Sequence, residues 1–233
     1  MELNLAVLGA GPTRTRRRGL VTSLAPPGRR LITTLAACFA VSLAILLGSG
    51  FAPAPAQAHH YDYLLPAPGT CGSAESGDMT KSYTDWVAAG MCLIDKARAN
   101  AGRIRRTPYN ELNTSSYYKA SDISVCEPDP NDSYAVHHAC GRPIDYWFKW
   151  SNPGACYQTA FAENVYIGYG SASTAREAVS WWLHSDAHRY ALLNSEYWGH
   201  YLNYSGPTTY RGTPNTRIWV YHMARCYTYT TGG

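Results

Sequence analysis

The side chains whose types could do chemistry are concentrated between Ala162-Glu163-Asn164 and His188-Arg189. Glu163 is a lone carboxylate at the start of an otherwise apolar strand pattern, and Ser185, Asp186 and His188 close the segment. A buried, unpaired carboxylate is costly, so Glu163 needs a partner, and His188 is the downstream candidate. Such a pair could orient an imidazole, raise its pKa or activate water. Ser185, Asp186 and His188 sit too close along the chain to form a relay triad. HExxH, GxSxG and phosphate-binding glycine signatures are absent from the sequence. Plainer roles compete for the same residues. Glu163 equally suits a buried hydrogen-bonding post, Ser185 a helix N-cap and Arg189 a donor to carbonyls or a carboxylate. His184, His200 and His222 read as packing or surface residues, and Trp181, Trp182, Trp198 and Trp219 mainly as core.

The elements that must position this segment are legible. Phe161, Val165 and Ile167 share one face of a strand with Glu163, because side chains alternate in extended backbone. Thr174 and Glu177 form a capping box, and Ala175, Ala178, Val179, Trp182 and Leu183 follow the apolar stripe of a helix. Upstream, Ser82 with Asp85 predicts a helix start, with Val87, Met91, Ile94 and Ala101 near one face and Gly102 as its stop. Glu111 to Val125 predicts a second helix with Leu112, Tyr118 and Ile123 inward, and Ile144 to Trp150 a short third. Tyr197 to Tyr204 and Arg217 to Ala224 read as two strands of an antiparallel hairpin, joined by a loop containing Ser-Gly-Pro and Gly-Thr-Pro. Early helices, late strands and a helix after the first strand predict an α+β layered sandwich.

The whole chain narrows the setting. Residues 1–58 read as a signal peptide: six arginines, an apolar run from Leu35 to Leu47, and Ala56-Gln57-Ala58 as the cleavage signature. The apolar run is short of the roughly 20 residues a membrane span needs, so no stable membrane anchor is expected after cleavage. This leader carries six of the 20 basic and one of the 16 acidic residues, leaving 14 against 15. The net-charge argument for nucleic acid disappears with it, and Arg103, Arg105 and Arg106 read as a solvated face. Of seven cysteines, Cys38 leaves with the leader, and the even set Cys71, Cys92, Cys126, Cys140, Cys156 and Cys226 predicts three disulfides in an oxidising compartment, with the pairing open. Residues 59–79 read as an extended segment tied down by Cys71, 80–228 as a single domain and 229–233 as a flexible tail.

In their order and spacing, several motifs are similar to the cysteine-rich secretory protein, antigen 5 and pathogenesis-related superfamily (the CAP or SCP-like domain), in its bacterial form. The resemblance covers about Ala88 to Cys226. It is carried by Leu93-Ile94-Asp95 with Arg98 and Gly102, by His137-His138-Ala139-Cys140-Gly141-Arg142-Pro143, and by Glu163-Asn164-Val165-Tyr166-Ile167-Gly168. Trp182 to Arg189 and Trp219-Val220-Tyr221-His222 complete it. The family's fold is a three-layer α-β-α sandwich with a small antiparallel sheet, and its cleft carries two histidines and two acids. By position these fall on His137, His188 and Glu163, with Ser185 at the second acid, and His138 is the rival of His137. Ala162 stands where the family usually has Gly, Ala191 where it has Asn, and Tyr201 where it has a small residue.

The resemblance implies a secreted, extracellular, monomeric protein that binds a small apolar ligand or a protein partner through a cleft of His137, Glu163, Ser185 and His188. Two imidazoles and a carboxylate also suit zinc or another divalent metal, with His137 and His188 as ligands. Two alternatives stay open: a metal-dependent hydrolase, peptidase or nuclease, using the same cleft, and an inert structural surface protein.

Overall fold

A reciprocal cap starts the first helix. Asp85 N–H donates to Ser82 Oγ at 3.2 Å and Ser82 N–H donates to the Asp85 carboxylate at 2.9 Å, so two orphan donors of the first turn are satisfied together. This helix, α1 (Tyr83–Asn100), buries Val87, Leu93, Ile94 and Ala97, and Gly102 beyond its end has the left-handed φ of 68° that stops a helix. Met91 and Ala101 of the expected face are only partly buried. In this computed structural model, residues 60–151 and 154–226 are described. The expected signal peptide and the 229–233 tail lie outside them.

Six helices and four strands follow one another in the described residues as α1, β1 (Thr107–Pro108), α2 (Asn110–Cys126), α3 (Ser133–His137), α4 (Tyr146–Ser151), β2 (Cys156–Tyr169), α5 (Ala175–His184), α6 (Asp186–Leu193), β3 (Gly199–Tyr210) and β4 (Thr213–Cys226). The sheet order is β1-β3-β4-β2. β2 and β3 both pair antiparallel with β4, while the two-residue β1 pairs parallel with β3, so the sheet is mixed and not wholly antiparallel.

The three layers follow from which side chains each strand presents to which helices. On one face, Leu202, Tyr204, Trp219, Tyr221 and Met223 pack with the apolar stripes of α1, α5 and α6. On the other, Val165, Ile218 and Val220 meet Ala120 and Ile123 of α2, and Phe161 and Ala224 meet Leu112 and Phe148. The stripe predicted for α5 is entirely inside: Ala175, Ala178, Val179, Trp182 and Leu183 are all buried. Only half of its capping box forms, Thr174 Oγ1 accepting from Glu177 N–H at 3.2 Å. α1 approaches the sheet so closely that a Cβ at Gly90 would strike Leu202.

Four expectations change. The hairpin strands include Ser205-Gly206-Pro207 and Thr213-Pro214, and the turn is the pair Arg211-Gly212, with φ of 47° and 82°. The register irregularity between Ser205 and Thr208 absorbs Gly206 and Pro207, which would otherwise break the ladder. Tyr118 faces outward and stacks on Trp147, centroids 4.7 Å apart. Arg106, expected on a solvated face, is buried at 3% exposure. Residues 60–79 contain two short 3-10 turns, Asp62–Leu64 and Ser73–Ser76, rather than continuous extended backbone.

The six cysteines pair as Cys71–Cys92, Cys126–Cys140 and Cys156–Cys226. The first ties the N-terminal segment to α1. There the buried Glu75 carboxylate accepts from the Gly69 and Cys71 N–H groups and from Arg176.

Candidate functional site

Strand alternation sends Glu163 toward α2 and its neighbour Asn164 toward α6. That one-residue difference decides the site. Glu163 lies in register with His222 of β4, and His222 Nε2–H donates to Glu163 Oε2 at 2.7 Å. The other oxygen, Oε1, receives His137 Nδ1–H at 2.5 Å. His137 is delivered by α3, whose start is capped by Asp132 accepting from Ala135 N–H at 3.0 Å.

α2 closes the cluster from above. Lys119 Nζ lies 3.8 Å from Glu163 Oε1 and donates to the His137 carbonyl. One helical turn earlier, Ser115 Oγ is 2.7 Å from His222 Nδ1. Glu163, His137, His222, Lys119 and Ser115 are all buried.

Burial alone would raise the Glu163 pKa, but the Lys119 charge and the bonds from His137 and His222 outweigh it, holding the carboxyl far below its usual range. Burial lowers the His222 pKa, against the opposing pull of Glu163. A neutral His222 then gives its Nε2–H to Glu163 and takes the Ser115 hydroxyl at Nδ1, the tautomer assigned from this network.

The expected partner of Glu163 is elsewhere. His188 sits on α6, and its carbonyl accepts from Asn164 Nδ2 at 3.1 Å on the opposite side of β2. Its ring is bonded through Nδ1 to Ser185 Oγ at 2.7 Å and lies 4.6 Å from the Trp181 ring. Both oxygens of Glu163 are taken by His137 and His222, so the pairing expected between Glu163 and His188 is replaced. Ser185 does occupy the N-cap position of α6, but its hydroxyl goes to His188 and not to the helix backbone. His137, not His138, faces Glu163; the His138 ring instead stacks on Tyr134 at 3.9 Å. Arg189 donates to the Leu183 carbonyl at 2.9 Å and to Asp186 at 2.5 Å.

Sequence reasoning missed His222, Lys119 and Ser115. Ser115, Lys119 and Asp122 fall three and four residues apart on α2, a polar stripe beside Leu112, Ala120 and Ile123, and all are buried. That stripe was the available signal for a polar interior.

The donor set limits what a metal could use. Among the described residues, no group of three or more His, Cys, Asp and Glu is arranged to hold a metal ion. Glu163 fits as an orienting carboxylate and not as a ligand, because both oxygens already accept from imidazoles and Lys119 stands beside them. His137 and His188 each have Nδ1 held by an oxygen partner, which is how metal-binding imidazoles are commonly oriented for ligation through Nε2.

No protein-family model matches the chain, and no curated protein matches it. Among solved structures, the chain is similar to an extracellular protein containing a SCP domain from Bacillus anthracis, at 14% identity and a TM-score of 0.47. The match covers 63% of this chain and 42% of that one, so this chain spans less than half of that protein's length.

Proposed function

We propose that the chain is an exported SCP-type domain that acts by binding a small apolar ligand or a protein partner, and not by hydrolysis. His137, Glu163, Ser185 and His188 then serve as the fixed polar frame of the binding region. The observation that carries this reading is the commitment of Glu163. It is 4% exposed, accepts from two imidazoles and is held ionised far below neutral pH. A general base works best with a pKa near the operating pH and with a lone pair aimed at substrate. Glu163 has neither, which favours a structural role over water activation. Three disulfides support an oxidising compartment. No helix of the described residues is long and apolar enough to cross a membrane.

A divalent-metal reading has one observation in its favour, the oriented Nδ1 atoms of His137 and His188. Those two imidazoles would hold the ion, and the ion would supply Lewis acidity to a bound group. Ser185 and Glu163 would fix the ring orientations.

The test is to titrate the purified protein with zinc and to measure peptide and DNA cleavage beside saturable uptake of a sterol and a fatty acid. Uptake without turnover is the expected result. Zinc-supported turnover that His188→Ala abolishes would overturn the binding reading. Absence of uptake, turnover and zinc binding together would favour the inert surface protein.

A further inference from the structure

Arg217 of β4 is 6% exposed and forms no ion pair among the described residues. An uncompensated buried guanidinium is costly, so its surroundings carry information. Its plane lies over the Trp86 ring, the centre 4.0 Å from the ring centroid. Nη1 donates to Ser173 Oγ at 2.9 Å, and Nη2 meets the weak acceptor Met79 Sδ at 3.3 Å. The Tyr204 hydroxyl is a further hydrogen-bonding neighbour of the guanidinium. Nε is buried without a hydrogen-bond partner.

Nε and Nη2 share one edge of the guanidinium, the edge that forks onto two oxygens of a carboxylate. Here a thioether stands on that edge, and Met79 is 69% exposed, free to swing away. Arg217 lines a pocket of about 510 Å³ whose wall also includes Met79, Trp86, Ser171, Ser173, Thr174 and Pro207. Thr174 is the N-cap of the ten-residue α5, so the positive end of that helix also borders the pocket. The nearest acid along the chain, Asp78, is turned into Ser73 and Thr80. Charge, fork geometry and volume converge on one ligand class.

We propose that this pocket binds a small organic carboxylate, its two oxygens replacing Met79 Sδ on the Nε–Nη2 edge of Arg217 and its body lying along Trp86 and Pro207. A single guanidinium matches a monoanion. A phosphate dianion would leave surplus negative charge beside a single guanidinium. None of the wall residues belongs to the Glu163 cluster, so this inference stands apart from the proposed function.

The test is titration of the purified full protein with benzoate, following the Arg217 Nε–H resonance by nitrogen-15 NMR. Saturable movement is expected with benzoate and none with benzamide, its neutral amide. Met79→Ala should tighten binding by about threefold, the scale of one weak bond to sulfur, without disturbing the core. Arg217→Lys keeps the charge but loses the fork and should weaken binding at least about tenfold. If Arg217→Lys does not fold, the wild-type resonance and Met79→Ala decide alone. Three results would each overturn the proposal: no saturable shift in wild type and Met79→Ala, equal shifts with benzamide, or tighter binding of inorganic phosphate than of benzoate.

Discussion

On the α2 side of the sheet a carboxylate is surrounded by donors; on the α1, α5 and α6 side two guanidiniums are surrounded by acceptors. Glu163 takes N–H groups from His137 and His222, with Lys119 at 3.8 Å. Arg98 and Arg106 are equally buried but form no ion pair among the described residues. They donate instead to main-chain oxygens. Arg98 reaches the Leu192 and Ile104 carbonyls, and Arg106 reaches those of Ala191, Asn194 and Tyr197 as well as the Tyr221 hydroxyl. Leu192 and Ala191 lie in the last turn of α6, where unsatisfied carbonyls and the helix dipole favour cations. One cluster balances its charge with formal charge. The other spreads two positive charges over backbone dipoles.

The clusters should therefore fail differently. Glu163→Gln leaves the buried Lys119 ammonium without its counter-charge and sets an amide against two imidazoles. Breaking a buried ionic set by removing one partner costs about 3–5 kcal/mol, the largest loss expected in this molecule, and urea unfolding measures it. Lys119→Met combined with Glu163→Gln should cost less than the sum of the two single changes, since the stranded charge is gone. Additive losses would mean that Lys119 is not what balances Glu163.

Arg106→Lys tests the other side. Lysine keeps the charge but cannot span four acceptors with one planar fork, so some carbonyls at the end of α6 lose their donor. A loss of about 2 kcal/mol is expected, smaller than for Glu163→Gln because no opposite charge is stranded. Thermal unfolding checks the order. If Arg106→Lys proved the more damaging, the backbone-dipole cluster would be the tighter of the two.

How much of this could be read from the chain follows the same division. Glu163 among Phe161, Val165 and Ile167 announced a polar group on an inward face, because alternation is a local property. The apolar stripe of α5 and the Ser82 cap are local too, and both were legible. His222 was not, since its meeting with Glu163 depends on the β2–β4 register, set by strands more than forty residues apart. Arg106 looked solvated, and Lys119 passed unremarked, because charged residues in helices and loops are usually exposed. Only tertiary contacts turn them inward. His188 misled for a related reason: proximity along the chain says nothing about which face of a strand a helix will cover.

Acidity separates the two sides most finely. Burial, followed by the nearby Arg106 and Arg98 charges, pushes the His200 pKa from 6.5 down to about 3. Its Nδ1 is 2.9 Å from the Tyr221 hydroxyl that also takes Arg106. The unfolded chain binds a proton at His200 below about pH 6.5, and the folded protein does not until near pH 3. Stability is thus retained above 6.5 and lost as pH falls toward 3. Between pH 7 and 5 His200 alone should cost about 2 kcal/mol. His222, also lowered by burial, adds loss of the same sign. Glu163 contributes little slope in that window, because its folded pKa is depressed and its unfolded value lies near 4.5; its stabilisation fades mainly at lower pH. Urea unfolding across pH 5 to 7 should show stability rising with pH, and His200→Gln should flatten the rise without removing it, leaving the part due to His222. An unchanged slope in His200→Gln would place the whole acid sensitivity on the Glu163 side of the sheet.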